Sequence, residues 1–263
     1  MALIHMDIIS QALKRSIQLN VILPSDRGDE NFQLINTPET RFKTLYLLHG
    51  IWGNNMDWIK NTNIQRYAEE NNIAVVLPSG ENSFYVDHPE SAGNYGQLIG
   101  EEIVDLTRRS FPLSWKREDT FIGGLSMGGY GAIRNGLKYS DTFGAIVALS
   151  SALITDETNR TDDAEYIFYT RKYFEYCFGP SGKVTESDCN PKKLVTDIIK
   201  TGKPMPRIYL ACGTEDFLFD KNNDFADFLK KNNVEYTYET GPGAHEWNFW
   251  DTYIQKGLTW LLS

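Results

Sequence analysis

The chain has little of what would send it to a membrane, a nucleic acid or an oxidising compartment. Its 263 residues include three cysteines, Cys177, Cys189 and Cys212. An odd, small set with no metal-ligand spacing gives no basis for a disulfide framework or a zinc site. Lysine and arginine number 26 against 35 aspartates and glutamates, and basic residues never run longer than two. A net charge of −9 removes the electrostatic reason to bind nucleic acid or an anionic membrane. No apolar run approaches the ~18 residues of a membrane-spanning helix. The opening stretch MALIHMDIISQALKR lacks a basic region followed by an apolar one, so no signal peptide is expected. A cytoplasmic protein is the simplest expectation. Histidine is scarce, four in all, and no His, Asp or Glu cluster has ligand spacing. Neither a metal nor a cofactor is expected.

What is present is a large apolar fraction in short runs. Forty-one per cent of the residues are hydrophobic, enough for a sizeable core. Residues 16–24 (SIQLNVILP) alternate as a half-buried strand does. The runs at 44–50, 73–80, 120–124, 144–150 and 207–213 are apolar on both faces, as in a parallel sheet covered by helices. A sixth such segment is 234–240. Helical spacing fills several gaps, with Phe249, Trp250, Tyr253, Ile254 and Leu258 lining the last helix. Alternation of this kind predicts a mostly parallel central sheet flanked by helices, one α/β domain over 1–263. Residues 154–203 break the rhythm and read as a small insertion over the sheet.

The stretch FIGGLSMGGYG (121–131) crowds five glycines round Ser126. A buried strand, then Gly-x-Ser-x-Gly, then a helix is the setting of a nucleophile elbow. Side chains two residues either side of the serine would collide, which accounts for Gly124 and Gly128. The turn would lift the Ser126 hydroxyl to the carboxyl edge of the sheet. The Met127 N–H, at the positive end of the following helix, is then half of an oxyanion hole. There is no Gly-Lys-Ser/Thr for a phosphate loop, and Arg134 stands where a dinucleotide motif needs its third glycine.

A serine needs a base, and the base an orienting acid. Of the four histidines, His245 sits in GPGAHEWNFW, a glycine-rich loop between the last strand and the last helix. His49 ends a buried strand and reads as a scaffold residue. For the acid, CGTEDFLFD follows the fifth strand and favours Asp216 over Glu215 and Asp220. The order Ser126, Asp216, His245 is the serine–acid–histidine order of α/β-hydrolases. The second oxyanion N–H is expected in the loop His49-Gly50-Ile51-Trp52-Gly53, from Ile51 with Trp52 as the alternative. Trp52, Trp58, Tyr85 and Trp247 are candidate substrate contacts, on or near loops over the site.

LYLLHGIWGNNMDW, FIGGLSMGGYGA, CGTEDFLFDKNN and GAHEWNFWD, in this order and spacing, resemble the esterase D family of α/β-hydrolases, nearest its bacterial tributyrin-esterase branch. The resemblance runs from about residue 10 to the end. It implies the α/β-hydrolase fold, a Ser126–His245–Asp216 triad, and an oxyanion hole from the Ile51 and Met127 N–H groups. It implies a serine carboxylesterase acting on short acyl esters, acetyl to butyryl. Feruloyl or acetyl groups on polysaccharide, S-formylglutathione and acyl transfer are the related alternatives. The expected partner is a small ester, an acylated sugar among the options, and relatives form homo-oligomers. A non-catalytic binding module would have lost a member of the triad, and here all three positions are filled.

Overall fold

The computed structural model describes every residue except Phe32 and Thr158, so that one residue of the 154–203 segment lies outside the description. Strands β1 (Ala2–Ser10), β2 (Arg15–Leu23), β3 (Thr44–Leu48) and β4 (Ala74–Pro78) come first. A two-residue ladder, β5 (Asp87–His88) with β6 (Gly93–Asn94), stands apart. Strands β7 (Thr120–Leu125), β8 (Ala145–Leu149), β9 (Arg207–Gly213) and β10 (Thr237–Gly241) complete an eight-stranded sheet. Its order is β1-β2-β4-β3-β7-β8-β9-β10. From β4 to β10 every pairing is parallel, whereas β2 runs antiparallel to both β1 and β4. This is the mostly parallel sheet that the alternation predicts.

The parallel strands are apolar on both faces because both faces are covered. In β3, Leu45 and Leu47 enter one core while Tyr46 and Leu48 enter the other. In β8, Ala145, Val147 and Leu149 alternate likewise with Ile146 and Ala148. One face carries α1 (Asp57–Asn61), α2 (Ile64–Glu70) and α9 (Trp247–Leu262). On the other, α3 (Tyr95–Gln97) passes through a π-turn into α4 (Ile103–Ser110), beside the almost wholly buried α5 (Met127–Lys138). Helices α6 (Arg171–Phe178), α7 (Pro191–Thr201) and α8 (Phe219–Lys231) finish that face.

Two expectations are refined. The first strand is not 16–24 alone: β1 precedes it as an edge hairpin. Its signal is the alternation of Ile4, Met6 and Ile8, packed on the core, with exposed His5 and Asp7. The 154–203 segment is not all insertion either. Leu194, Val195 and Ile198 of α7 join the same core as α5, and among the described residues the stretches without an α-helix or strand are those at about 155–170 and 179–190. The parallel strands aim their carboxyl ends the same way. The loops after β3, β7, β8, β9 and β10 therefore gather at one edge, where open α/β sheets build their sites.

Candidate active site

At the end of β7 the backbone of Ser126 takes φ 55° and ψ −119°, and α5 begins at the next residue. Such angles cost a non-glycine residue about 1–3 kcal/mol and persist only where the surroundings enforce them. Here they do. The Ser126 N–H donates to the Leu149 carbonyl at 2.9 Å, and the Ser126 carbonyl accepts from Tyr130 and Ala152, each at 3.0 Å. A Cβ on Gly128 would lie 2.5 Å from the carbonyl oxygens of both Leu48 and His49, and one on Gly124 would strike the Gly128 carbonyl. The elbow glycines are thus fixed by backbone-to-backbone closeness.

The Ser126 Oγ lies 3.0 Å from His245 Nε2, and His245 Nδ1 lies 2.9 Å from Asp216 Oδ2. The other oxygen, Asp216 Oδ1, accepts the Leu218 N–H at 2.8 Å. Burial works against ionisation of this carboxyl. The hydrogen bonds from His245 and the Leu218 N–H, with the attraction of the imidazole, outweigh it and hold Asp216 below the usual carboxylate range. Three loops therefore bring together a hydroxyl, an imidazole and a buried carboxylate in series, the arrangement that activates a serine.

The two rival acids are elsewhere. Asp220 is exposed in the first turn of α8. Glu215 turns away from His245: its Oε2 accepts the Gly243 N–H at 2.5 Å while its own N–H donates to the Gly243 carbonyl at 3.1 Å. This double bond between loops ties the acid's turn to the loop that carries His245. Glu215→Ala should lower kcat by roughly tenfold, since even a displacement of the base by a fraction of an ångström is expensive. Glu215→Gln, which keeps an acceptor, should lose less. Steady-state kinetics beside thermal melts tests this; a wild-type kcat for Glu215→Ala contradicts it.

The loop after β3 is held from beneath. His49 Nδ1 donates to the Gly50 carbonyl at 2.7 Å, and its Nε2 accepts the Gly80 N–H at 2.8 Å. Accepting at Nε2 needs the neutral ring; burial, the largest influence, lowers the His49 pKa and favours that form, against the Gly50 hydrogen bond, which favours the charged one. The Gly50 carbonyl and the Ile51 N–H belong to one trans peptide and point opposite ways. Clamping the first therefore aims the second. The Trp52 N–H is already taken by Asn82 Oδ1 at 2.8 Å. The Ile51 and Met127 N–H groups donate to no acceptor among the described residues. That separates Ile51 from its alternative.

A cavity of about 560 Å³ opens above Ser126, Met127 and His245. Trp52 and Trp247 line it; Trp58 and Tyr85 do not. Trp58 is 1% exposed, donates Nε1–H to the Leu48 carbonyl at 3.0 Å and backs edge-on against Trp247. Tyr85 is fully buried, with its hydroxyl donating to the His49 carbonyl at 3.0 Å. A Cβ on Gly131 would lie 2.5 Å from the Tyr85 ring, so that glycine admits the ring beneath the loop. Both expected contacts are therefore corrected: these residues prop the wall and cannot touch a ligand in it. The sequence reading missed Glu157, Arg160, Phe168, Tyr169 and Lys221, which also line the cavity. The run Tyr166-Ile167-Phe168-Tyr169, aromatic outside any strand or α-helix, was the available signal.

With this geometry in view, relatives give the family. The sequence profile described as "Putative esterase" matches residues 10–261. The chain belongs to this esterase family. An acetyl esterase of Caldicellulosiruptor saccharolyticus is 43% identical over 262 residues, covering 99% of this chain and 98% of the relative. Among solved structures, the fluorophosphonate-binding serine hydrolase FphF of Staphylococcus aureus superposes with a TM-score of 0.86 at 33% identity, covering 100% of this chain and 98% of that one. The S-formylglutathione hydrolase FrmB of the same organism gives 0.85 at 34%, covering 100% and 99%. The esterase is thus an enzyme that hydrolyses carboxylic esters, on an α/β-hydrolase fold. Among its described residues, no helix is long and apolar enough to cross a membrane.

Proposed function

We propose that the esterase hydrolyses short acyl esters through a Ser126–His245–Asp216 triad. The observation that carries this reading is the unbroken hydrogen-bonded series, 3.0 Å and 2.9 Å, ending on a buried carboxylate. His245 takes the Ser126 proton as Oγ attacks the ester carbonyl. Asp216 holds Nδ1–H and stabilises the imidazolium that forms. The N–H groups of Ile51 and Met127 receive the oxyanion, a contribution worth about 3–4 kcal/mol per donor in comparable sites. The protonated His245 then gives its proton to the departing alcohol, leaving an acyl-serine. Water repeats the steps and restores the hydroxyl.

Acetyl to butyryl is the range we assign, supported by the acetyl esterase relative. The test is hydrolysis of p-nitrophenyl esters from acetate to decanoate. A maximum in kcat/KM at two to four carbons is expected, and a maximum at eight or ten overturns the range. The relation to an S-formylglutathione hydrolase supports a second reading, thioester hydrolysis. S-formylglutathione belongs in the same series. All three cysteines are free and buried, which supports a reducing, cytoplasmic setting.

A further inference from the structure

The Ile51 N–H sits in a tight turn of the wrong type for its sequence. The Gly53 N–H donates to the Gly50 carbonyl at 3.2 Å and closes the turn. Of its two central residues only Trp52 has a positive φ, +64°, which makes it a type II turn. That position favours glycine, and a bulky residue there is strained. Rotating the central Ile51–Trp52 peptide by half a turn would give the type I form, which suits most residues and returns Trp52 to negative φ. One hydrogen bond opposes this: the Trp52 N–H donates to Asn82 Oδ1 at 2.8 Å. The two peptides that flank Ile51 are therefore clamped separately, the upstream one by His49 through the Gly50 carbonyl and the downstream one by Asn82. Without the second clamp the turn can relax, the Ile51 carbonyl reverses, and the N–H of the same residue loses its fixed aim.

Asn82 is itself held from behind. Its backbone carbonyl accepts the Tyr173 hydroxyl of α6 at 2.6 Å. Around it, Glu81, Phe84 and Tyr85 take φ of 49°, 52° and 56°. Strained angles of this kind persist only where the surroundings enforce them. Here Ser83 Oγ donates to the Gly80 carbonyl at 2.6 Å and accepts the Tyr85 N–H at 3.1 Å. The loop after β4 is thus a fixed shelf, and Asn82 is the side chain it offers to the turn. Asn82 does not line the cavity, so it acts on the reaction only through the turn.

We propose that Asn82 is a positioning residue for the oxyanion hole, holding the Gly50–Gly53 turn in the strained form that fixes the Ile51 N–H, and that Tyr173 extends this hold to α6. This rests on the esterase reading above. The N–H so held meets full charge only in the transition state, so loss of the hold falls on kcat rather than KM. The test compares p-nitrophenyl acetate kinetics, inhibition by n-butylboronic acid and thermal melts for the wild type, Asn82→Leu, Asn82→Asp and Tyr173→Phe. Asn82→Leu, similar in size but without an acceptor, should lose roughly 10- to 100-fold in kcat, with KM within about twofold. Asn82→Asp keeps an acceptor and should stay within about threefold of the wild type, and Tyr173→Phe should lose about threefold. The boronic acid binds Ser126 Oγ as a tetrahedral anion with an oxygen in the hole, so its Ki should rise in step with the loss of kcat. A merely structural contact would lower the melting temperature and leave that Ki unchanged. Tyr173→Phe, which removes a single hydroxyl, carries the same comparison should Asn82→Leu fail to fold. A wild-type kcat for Asn82→Leu, an Asn82→Asp as slow as Asn82→Leu, or a Ki that does not follow kcat overturns the role of Asn82 while leaving the esterase intact. A wild type that turns over no ester overturns the esterase reading, and this role with it.

Discussion

Ser126→Ala is expected to lower kcat/KM on p-nitrophenyl acetate by roughly 10⁴-fold or more, because the members of a triad act as a unit and little is left when the nucleophile is gone. The residue that remains cannot form an acyl-enzyme. The hydroxyl is not what holds the elbow together. Its side chain caps nothing in α5, and the ties to Leu149, Tyr130 and Ala152 are all made by backbone atoms. Alanine suffers the same φ of 55° as serine does. The variant should therefore melt within a few degrees of the wild type. Activity near the wild-type level would remove Ser126 from the chemistry. Loss of activity together with loss of the fold would leave its role unsupported.

Gly128→Ala should be damaging for a different reason, and in stability as well as rate. The added carbon would sit 2.5 Å from two carbonyl oxygens at the end of β3. Backbone atoms cannot rotate out of the way as a side chain can. The start of α5 must move off the sheet, carrying the Met127 N–H and the Ser126 hydroxyl with it. Overpacking of this sort costs about 1–3 kcal/mol. A displacement near an ångström costs roughly 100-fold in rate. Thermal melts with kinetics on p-nitrophenyl acetate measure both. An alanine variant as stable and active as the wild type would mean that the elbow tolerates an opening its geometry forbids. The same substitution at the exposed Gly182, where nothing lies within 4 Å of the new carbon, should be silent.

Much of this was legible in the sequence because the strongest signals coincide with the strongest constraints. Strands buried on both faces have to be continuously apolar, so β3, β4, β7, β8 and β9 stand out. The elbow glycines stand out because no side chain fits there. Asp216 and His245 could be named because each follows a recognisable strand by a short turn. Edges were harder. β1 is half-exposed and carries His5 and Asp7, which dilute its pattern, and β10 starts three residues later than the run VEYTYET suggests. Aromatic residues were harder still. Trp52 and Trp58 are six positions apart on neighbouring loop and helix, yet one stands in solvent and the other reaches back to Leu48. Nothing in their local sequence distinguishes a lining ring from a supporting one; only the packing of α1 beneath Trp247 does. The cavity wall from Glu157, Arg160 and Lys221 joins a loop to a helix some sixty residues on, a juxtaposition that no local periodicity encodes.

The central claim is that Ser126, activated by His245 against Asp216, forms a covalent acyl-enzyme. A fluorophosphonate reports on it directly: the activated hydroxyl attacks phosphorus, fluoride leaves, and the adduct stays. Intact mass followed by peptide mapping should find one adduct per chain, on the peptide that carries Ser126. It should vanish in Ser126→Ala and be greatly slowed in His245→Ala. An adduct on another residue, or undiminished labelling of Ser126→Ala, would contradict the claim.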